Sequence, residues 1–253
     1  MNPASDTLRR SFDTDGYVAI PAFLSTAELV ILNSNLERYI RDIVPTLAPE
    51  HVFYEDKNRP ETLKQLQVMQ THDHYFAELF NDGPFERLAE VVLNDRVIGK
   101  NLQYFNKPPG VGQPTPAHQD GYYFKLDPPE AVTMWLALDV VDQENGCVRY
   151  VRGSHQRGMR PHARTGVLGF SQGITDYGQP EDIADELAFP AQPGDLLVHH
   201  ALTVHRADGN RSANRSRRSL GFIYFAERAR EDTATVTQYQ QQLKTELLAN
   251  NKI

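Results

Sequence analysis

The chain has 253 residues, with 26 basic and 33 acidic side chains and a formal charge of −7. This length suits a single domain with a sizeable core, and the acidic balance disfavours nucleic acid or an anionic membrane as main partner, leaving a small molecule as the expected one. The lone cysteine, Cys147, excludes an intramolecular disulfide and fits a cytoplasmic setting. No signal-peptide core and no apolar run of about 18 residues is present, so no membrane anchorage is expected.

Residues 12–24, FDTDGYVAIPAFL, carry Gly16 and a short β-rich run ending at Pro21, which reads as a strand closing into a turn. Ser25-Thr26-Ala27-Glu28 is a capping-box pattern. Leu29, Ile31, Leu32, Leu36, Tyr39 and Ile40 then recur at roughly helical spacing, predicting a helix with one apolar face on a sheet. Residues 62–70, TLKQLQVMQ, fit neither period well and are taken as extended. Residues 75–93 read as two short helical pieces broken at Gly83-Pro84.

From about residue 96 the chain becomes a series of β-runs, RVIGKNLQYFNK, HQDGYYFKL, AVTMWLALDVV, CVRYV, DLLVHHALTVH and RSLGFIYF, separated by turn clusters such as PPGVGQPTP, DQENG and PGD. Helices first and strands after predict a mainly β protein, a double-sheet jelly roll buttressed by flanking helices. The expected layout is one domain over 1–253: a helical part over about 1–95, the jelly-roll core over about 96–228 and a polar C-terminal helix over about 231–253. Residues 156–188 hold Gly158, Gly166, Gly169 and Gly173 without clear periodicity, and are expected to form a loop inserted over the site.

His118-Gln119-Asp120 places an imidazole and a carboxylate two residues apart. On a strand those positions share a face, so both side chains can reach one metal ion. The tripeptide alone carries little weight, since such pairs are commonly hydrogen-bonded or exposed. After the turn Pro193-Gly194-Asp195, LLVHHALTVH supplies His199, His200 and His205. The first two read as partly buried strand residues satisfied by neighbours, whereas His205 sits at a strand end beside a turn, where functional residues concentrate. His118, Asp120 and His205 make two histidines and one carboxylate, the ligand set of non-haem iron(II) oxygenases. An arginine in the next strand suits a co-substrate with a free carboxylate. Arg217 shares its face with Ser219, Gly221 and Ile223, which leave room for one. Arg218 shares with Leu220, Phe222 and Tyr224 and is expected to end in a surface ion pair.

The ordered run GYVAIPAFLS, NKPPG, AHQDGYYF, MWLALD, ENGCVRYVRGSH, PGD, H-x4-H and a following arginine resembles the phytanoyl-CoA dioxygenase family from about residue 12 to residue 226. The resemblance implies a double-stranded β-helix (jelly-roll, cupin-like) fold, iron(II) and 2-oxoglutarate as cofactor and co-substrate, and dioxygen as oxidant. His118, Asp120 and His205 match the family's metal positions and Arg217 its 2-oxoglutarate arginine. Lys64, Gln103 and Trp135 match further co-substrate positions, although Lys64 also reads as a solvated lysine and Trp135 as core. Gln119 is expected to contribute through its backbone, and Ser154-His155 to be structural. Ala207 stands where the family often has serine. The retained Asp120 argues against a halogenase.

The implied reaction is hydroxylation of a C–H bond in a small organic molecule, with release of succinate and carbon dioxide. No side-chain general acid or base is expected. Tyr122, Tyr123, Phe105, Arg160, His162, Phe170, Gln172 and Arg206 are candidates for substrate selection; Arg160 or Arg206 in the pocket would favour an anionic substrate. Two other classes compete: a non-catalytic jelly-roll binding protein, and a zinc hydrolase using the same three ligands.

Overall fold

The computed structural model describes residues 3–250 and residue 252. Helix α1 (Pro3–Asp15) ends at Gly16, whose φ of +82° and crowding against His155 and Thr203 leave no room for a Cβ. Strand β1 (Tyr17–Ile20) follows, then α2 (Thr26–Arg38). The capping box forms as expected: Ser25 Oγ accepts from the Glu28 N–H at 3.3 Å and the Glu28 carboxylate from the Ser25 N–H at 2.7 Å. The helix buries Leu29, Leu32 and Leu36. Of the segment expected to be extended, Leu63–Leu66 is strand β3, paired with β2 (Val52–Tyr54), whereas Met69–Thr71 closes into a 3-10 turn. The Gly83-Pro84 break separates α3 (His74–Phe80) from α4 (Pro84–Leu93), with Pro84 in the first turn, where its missing N–H costs nothing.

The β-rich part runs β4 (Val97–Lys107), β5 (Thr115–His118), a helical turn α5 (Gly121–Phe124), β6 (Leu126–Asp127), β7 (Ala131–Ala137) and β8 (Val148–Val151). It continues through β9 (His162–Val167), β10 (Phe170–Ile174), α6 (Pro180–Asp185), β11 (Glu186–Phe189), β12 (Leu196–His200), β13 (His205–Ala207), β14 (Arg217–Ala226) and β15 (Arg230–Glu231). Helix α7 (Thr233–Ala249) is the expected C-terminal helix; residues 251 and 253 of that expectation, and residues 1 and 2 of the expected domain, lie outside the described residues. No helix among the described residues is long and apolar enough to cross a membrane.

Two antiparallel sheets face each other as a jelly roll. The larger has the order β1-β12-β7-β14-β4-β3-β2 and the smaller β11-β8-β13-β5. The first 95 residues are therefore not simply helical: β1 pairs β12 and β3 pairs β4, so both edges of the large sheet come from them. These strands are only four residues long, too short for a period-two pattern to stand out.

Register sorts the large sheet into two faces. Tyr17, His199, Thr133, Ile223 and Asn101 align across it on the inner face, as do Leu197, Trp135, Gly221 and Gln103. The alternate residues Val198, Met134, Phe222 and Leu102 point to the helices. There Phe85 stacks on Phe222 at 3.8 Å between centroids and Phe80 on Tyr224 at 4.8 Å, in a core that also takes Leu32, Leu36 and Ala89. Each such ring contributes about 1.5–3 kcal/mol by burial.

Residues 156–188 are not a structureless loop. They form the β9–β10 hairpin, α6 and β11, the last pairing with β8. Gly166 and Gly169 take positive φ at the hairpin turn, so these glycines shape a tip rather than loosen a loop.

Candidate active site

His118 ends β5 and His205 begins β13, and the two are direct partners in the small sheet, which sets their rings 4.1 Å apart between centroids. The Nδ1–H of His118 donates to Pro116 O at 2.8 Å and that of His205 to Thr203 O at 2.9 Å. With Nδ1 occupied in this way, both Nε2 lone pairs point into the space between the sheets.

Asp120 reaches the same space by a different route from the expected strand face. Strand β5 stops at His118, and Asp120 is in the right-handed helical conformation (φ −59°, ψ −34°) that opens α5. Gly121 donates its N–H to Ala201 O at 2.8 Å, turning the chain towards the β12–β13 connection. HQDGYYFKL is thus a strand end and a helical turn, not a β-run. Asp120 Oδ1 lies 3.4 Å from His118 Nε2 and 3.7 Å from His205 Nε2, and one ligand atom from each of the three residues falls within 4.8 Å of the others. Burial pushes the Asp120 carboxyl up, but the His205, His118 and His199 rings outweigh this and hold it well below the usual carboxylate range. Burial, with His118 and His199 alongside, keeps His205 well below the ordinary imidazole value and so neutral. A neutral His205 ring and an ionised Asp120 are protonation states that metal ligation needs, and the two-histidine, one-carboxylate donor set fits a divalent first-row metal.

A cavity of about 930 Å³ extends from the triad. One end gathers Arg217, Lys107 and Lys64, with Glu55 as counter-charge and with Lys107 held well below the usual lysine range by burial and by Arg217. Arg217 is 4% exposed, lies 5.3 Å over the Trp135 ring, and has no hydrogen-bond or ion-pair partner among the described residues, its Nε being fully buried. Burial brings its pKa down to about 10. Directly opposite in register stands Lys107, buried, donating to Gln113 O and to Thr115 Oγ1 (3.2 Å). Lys64 is 5% exposed and pairs with Glu55 at 3.2 Å, so it is not a solvated lysine. Gln103 accepts from Gln65 Nε2 at 2.8 Å beside them. Trp135 is packed with Tyr17 and Val148, as the core reading expected, and its ring also lines the cavity. Arg218 points to the other face, where it forks onto Asp139 (2.7 Å) as expected.

The rest of the wall is largely aromatic. Phe105 and Phe170 stack at 6.0 Å, and Phe170 meets the His118 ring edge-on at 5.6 Å, carried there by the β9–β10 hairpin. Tyr123 lines the cavity and bonds Gln172 O at 3.0 Å, whereas Tyr122 stacks on His162 at 4.4 Å. Neither arginine proposed for an anionic substrate is free: Arg160 binds Asp182 (2.7 Å) and Asp176 (3.0 Å), and Arg206 binds Glu186 and Asp208 (both 2.7 Å). Gln119 braces the site through its side chain, donating to Leu202 O (2.7 Å) and Gly158 O (2.9 Å). Ser154 ties β8 to the β12–β13 connection by bonding Val151 O and Val204 N, a structural role.

Three features escaped the sequence reading. His199 contacts Asp120, with its Nε2 3.1 Å from Oδ2. Alternation in LLVHH separates His199 from His200 but does not say which faces inward. Lys107 sits within NKPPG, yet its position opposite Arg217 depends on strand pairing. Helix α7 is polar and mostly exposed as expected, but Val236, Tyr239, Leu243 and Leu247 form a half-buried stripe along the cavity mouth. Lys244 joins it to Glu50 at 2.6 Å and Glu246 to Arg164 of the hairpin at 3.1 Å.

The family model described as phytanoyl-CoA dioxygenase matches residues 12–219. The chain is 31% identical over 247 residues to phytanoyl-CoA dioxygenase 1 of Oryza sativa subsp. japonica, covering 84% of this chain and 87% of that one. It is 24% identical over 217 residues to the peroxisomal phytanoyl-CoA dioxygenase of Bos taurus, covering 81% of this chain and only 64% of the relative's length. Among solved structures, the epimerase SnoN in complex with Fe3+, alpha ketoglutarate and nogalamycin RO has the same fold, with a TM-score of 0.70 at 24% identity over 90% of this chain and 86% of that one. The match over most of the chain, together with the inward-facing His118, Asp120 and His205, shows that the chain belongs to the phytanoyl-CoA dioxygenase family.

Proposed function

We propose that this protein is a non-haem iron(II), 2-oxoglutarate-dependent dioxygenase that hydroxylates a C–H bond of a small organic molecule, releasing succinate and carbon dioxide. The observation that carries the reading is Arg217, a buried guanidinium without a hydrogen-bond or ion-pair partner among the described residues, in the same cavity as a two-histidine, one-carboxylate cluster. A buried unpaired cation is costly, and an anionic ligand relieves that cost. The distal carboxylate of 2-oxoglutarate suits Arg217, flanked by Lys107 and Lys64, with Gln103 offering its amide and Trp135 a flat wall.

His118, Asp120 and His205 would hold iron(II) on one side, leaving positions open for the keto-acid end of the co-substrate and for dioxygen. With these bound, the centre supplies oxidation of a C–H bond coupled to decarboxylation of 2-oxoglutarate. The chain's own residues orient and enclose. Phe170 and Phe105 keep one side of the site apolar, and the α7 stripe narrows access from solvent. That wall, and the engagement of Arg160 and Arg206 elsewhere, favours a substrate with an apolar body over one recognised through those arginines. A zinc hydrolase leaves Arg217 and Lys64 without a purpose, and the intact His118, Asp120 and His205 set speaks against a binding protein without turnover. A buried, free Cys147 fits a cytoplasmic setting, and one domain carries the whole site.

The decisive experiment is succinate release from 2-oxoglutarate under air with iron(II), over a panel of candidate substrates, using Asp120→Ala as the blank. Iron- and oxygen-dependent release by the wild type alone is expected; equal release by both proteins would defeat the reading.

A further inference from the structure

We propose that Thr133 and His199, backed by Tyr150, are positioning residues that hold Asp120 as a one-oxygen metal ligand. This rests on the metal-site reading above and concerns residues for which the family match supplies no role.

The two oxygens of Asp120 have different surroundings. Oδ1 faces the Nε2 atoms of His118 and His205. Oδ2 accepts from Thr133 Oγ1 at 2.6 Å and from His199 Nε2 at 3.1 Å. Thr133 and His199 are direct cross-strand partners on β7 and β12, so the inner face of the large sheet presents two donors side by side. Behind them, the Tyr150 hydroxyl lies 2.9 Å from His199 Nδ1. The Asp120 carboxylate can only accept, so a His199 ring with one proton carries it on Nε2, and Nδ1 is left to accept from the Tyr150 hydroxyl. Thr133, Tyr150 and His199 are all buried. Tyr150 is further locked by stacking on Tyr17 at 5.0 Å.

This arrangement answers a mechanical problem. Each histidine is steered by its strand and by a bond from its own Nδ1, but Asp120 lies beyond the end of β5, where no strand neighbour fixes its side chain. With both hydrogen bonds on Oδ2, rotation that would bring the second oxygen onto the metal breaks two donors at once. A bound metal would then be offered Oδ1 alone, with more of its coordination sphere left to exogenous ligands.

The test uses the metal-free full-length protein and cobalt(II), titrated without 2-oxoglutarate and followed by visible absorption. Leu at position 199 keeps apolar bulk and loses the donor, whereas Gln retains an N–H near the Nε2 position. Val and Ser at position 133 make the same contrast for the hydroxyl. His199→Leu and Thr133→Val are expected to weaken cobalt binding about ten- to a hundredfold, with a changed absorption envelope. His199→Gln and Thr133→Ser should stay within a few-fold of the wild type. If Leu and Gln at 199 weaken binding equally, His199 is itself a ligand and the proposal falls; it falls equally if no variant weakens binding. Should His199→Leu fail to fold, Thr133→Val and Tyr150→Phe carry the test, and wild-type affinity in both overturns it. Asp120→Ala serves as the separate control: if it binds cobalt like the wild type, the metal-site reading itself is wrong.

Discussion

The two faces of strand β14 are built to opposite purposes from alternate residues of one sequence. Outward, Leu220, Phe222 and Tyr224 are fully buried against α3 and α4, and the Tyr224 hydroxyl is satisfied by Phe80 O at 2.7 Å. Inward, Arg217 Nε and Ser219 Oγ are buried with no hydrogen-bond partner among the described residues, and Gly221 leaves space that the Phe105 ring edge enters. The outer face is fully buried against the helices and stabilises the sheet. The inner face keeps polar groups away from water in readiness for a ligand, a local expense that the outer core must offset. Stability and function are thus separable by parity along one strand.

Five substitutions test this division between the faces. The largest effect is expected from Asp120→Ala, which removes a ligand outright. Metal-dependent succinate release should drop by more than the roughly hundredfold typical of outer partners, while the melting temperature of the metal-free protein holds; a collapsed fold would show that the inner face is structural after all. Phe222→Ala, on the outer face, should lower unfolding stability by about 3–5 kcal/mol in denaturant titration, with the KM for 2-oxoglutarate unchanged in the folded fraction.

Arg217→Met should act in the opposite sense on the two properties. Losing a buried charge partner costs about 2–5 kcal/mol of binding, so the KM for 2-oxoglutarate should rise at least about thirtyfold. Meanwhile, the ligand-free variant should melt no lower than the wild type, since an unpaired buried cation is gone. Added 2-oxoglutarate at about a hundred times its Kd should stabilise the metal-loaded wild type by about 2.7 kcal/mol and the variant hardly at all. Arg218→Met, which breaks only the Asp139 pair, should leave the KM in place; an equal rise in both variants would reverse the assignment.

The last effect is confined to acid. His200, next to the functional His199 but of opposite parity, packs against Phe12, and burial, with His155 and His199 nearby, lowers its pKa to about 4. The unfolded chain therefore binds the proton more tightly. Stability from this residue is complete above pH 6.5 and is lost as pH falls towards about 4, amounting to about 3 kcal/mol across that window. His200→Asn, which can keep an acceptor for the Leu202 N–H, should flatten this part of the stability profile. An unaltered slope would assign the acid sensitivity to other groups.

Much of the molecule is legible in the amino-acid order because its causes are local. The capping box sets the start of α2, Gly83-Pro84 separates α3 from α4, and the side chains of β14 alternate so that Arg217 and Arg218 must face opposite ways. The triad and its companion arginine are likewise readable as residue types in order. Tertiary structure alone decided which parity faces inward, because that depends on pairing between strands far apart in the chain. It placed Lys107 across from Arg217 and carried Asp120 into the site from a helical turn. It also set His199 and Thr133 on the same carboxylate oxygen and laid α7 along the cavity mouth. Backbone preference and alternation act between neighbours and can be read from them, whereas register and docking are settled only when the two sheets close on each other.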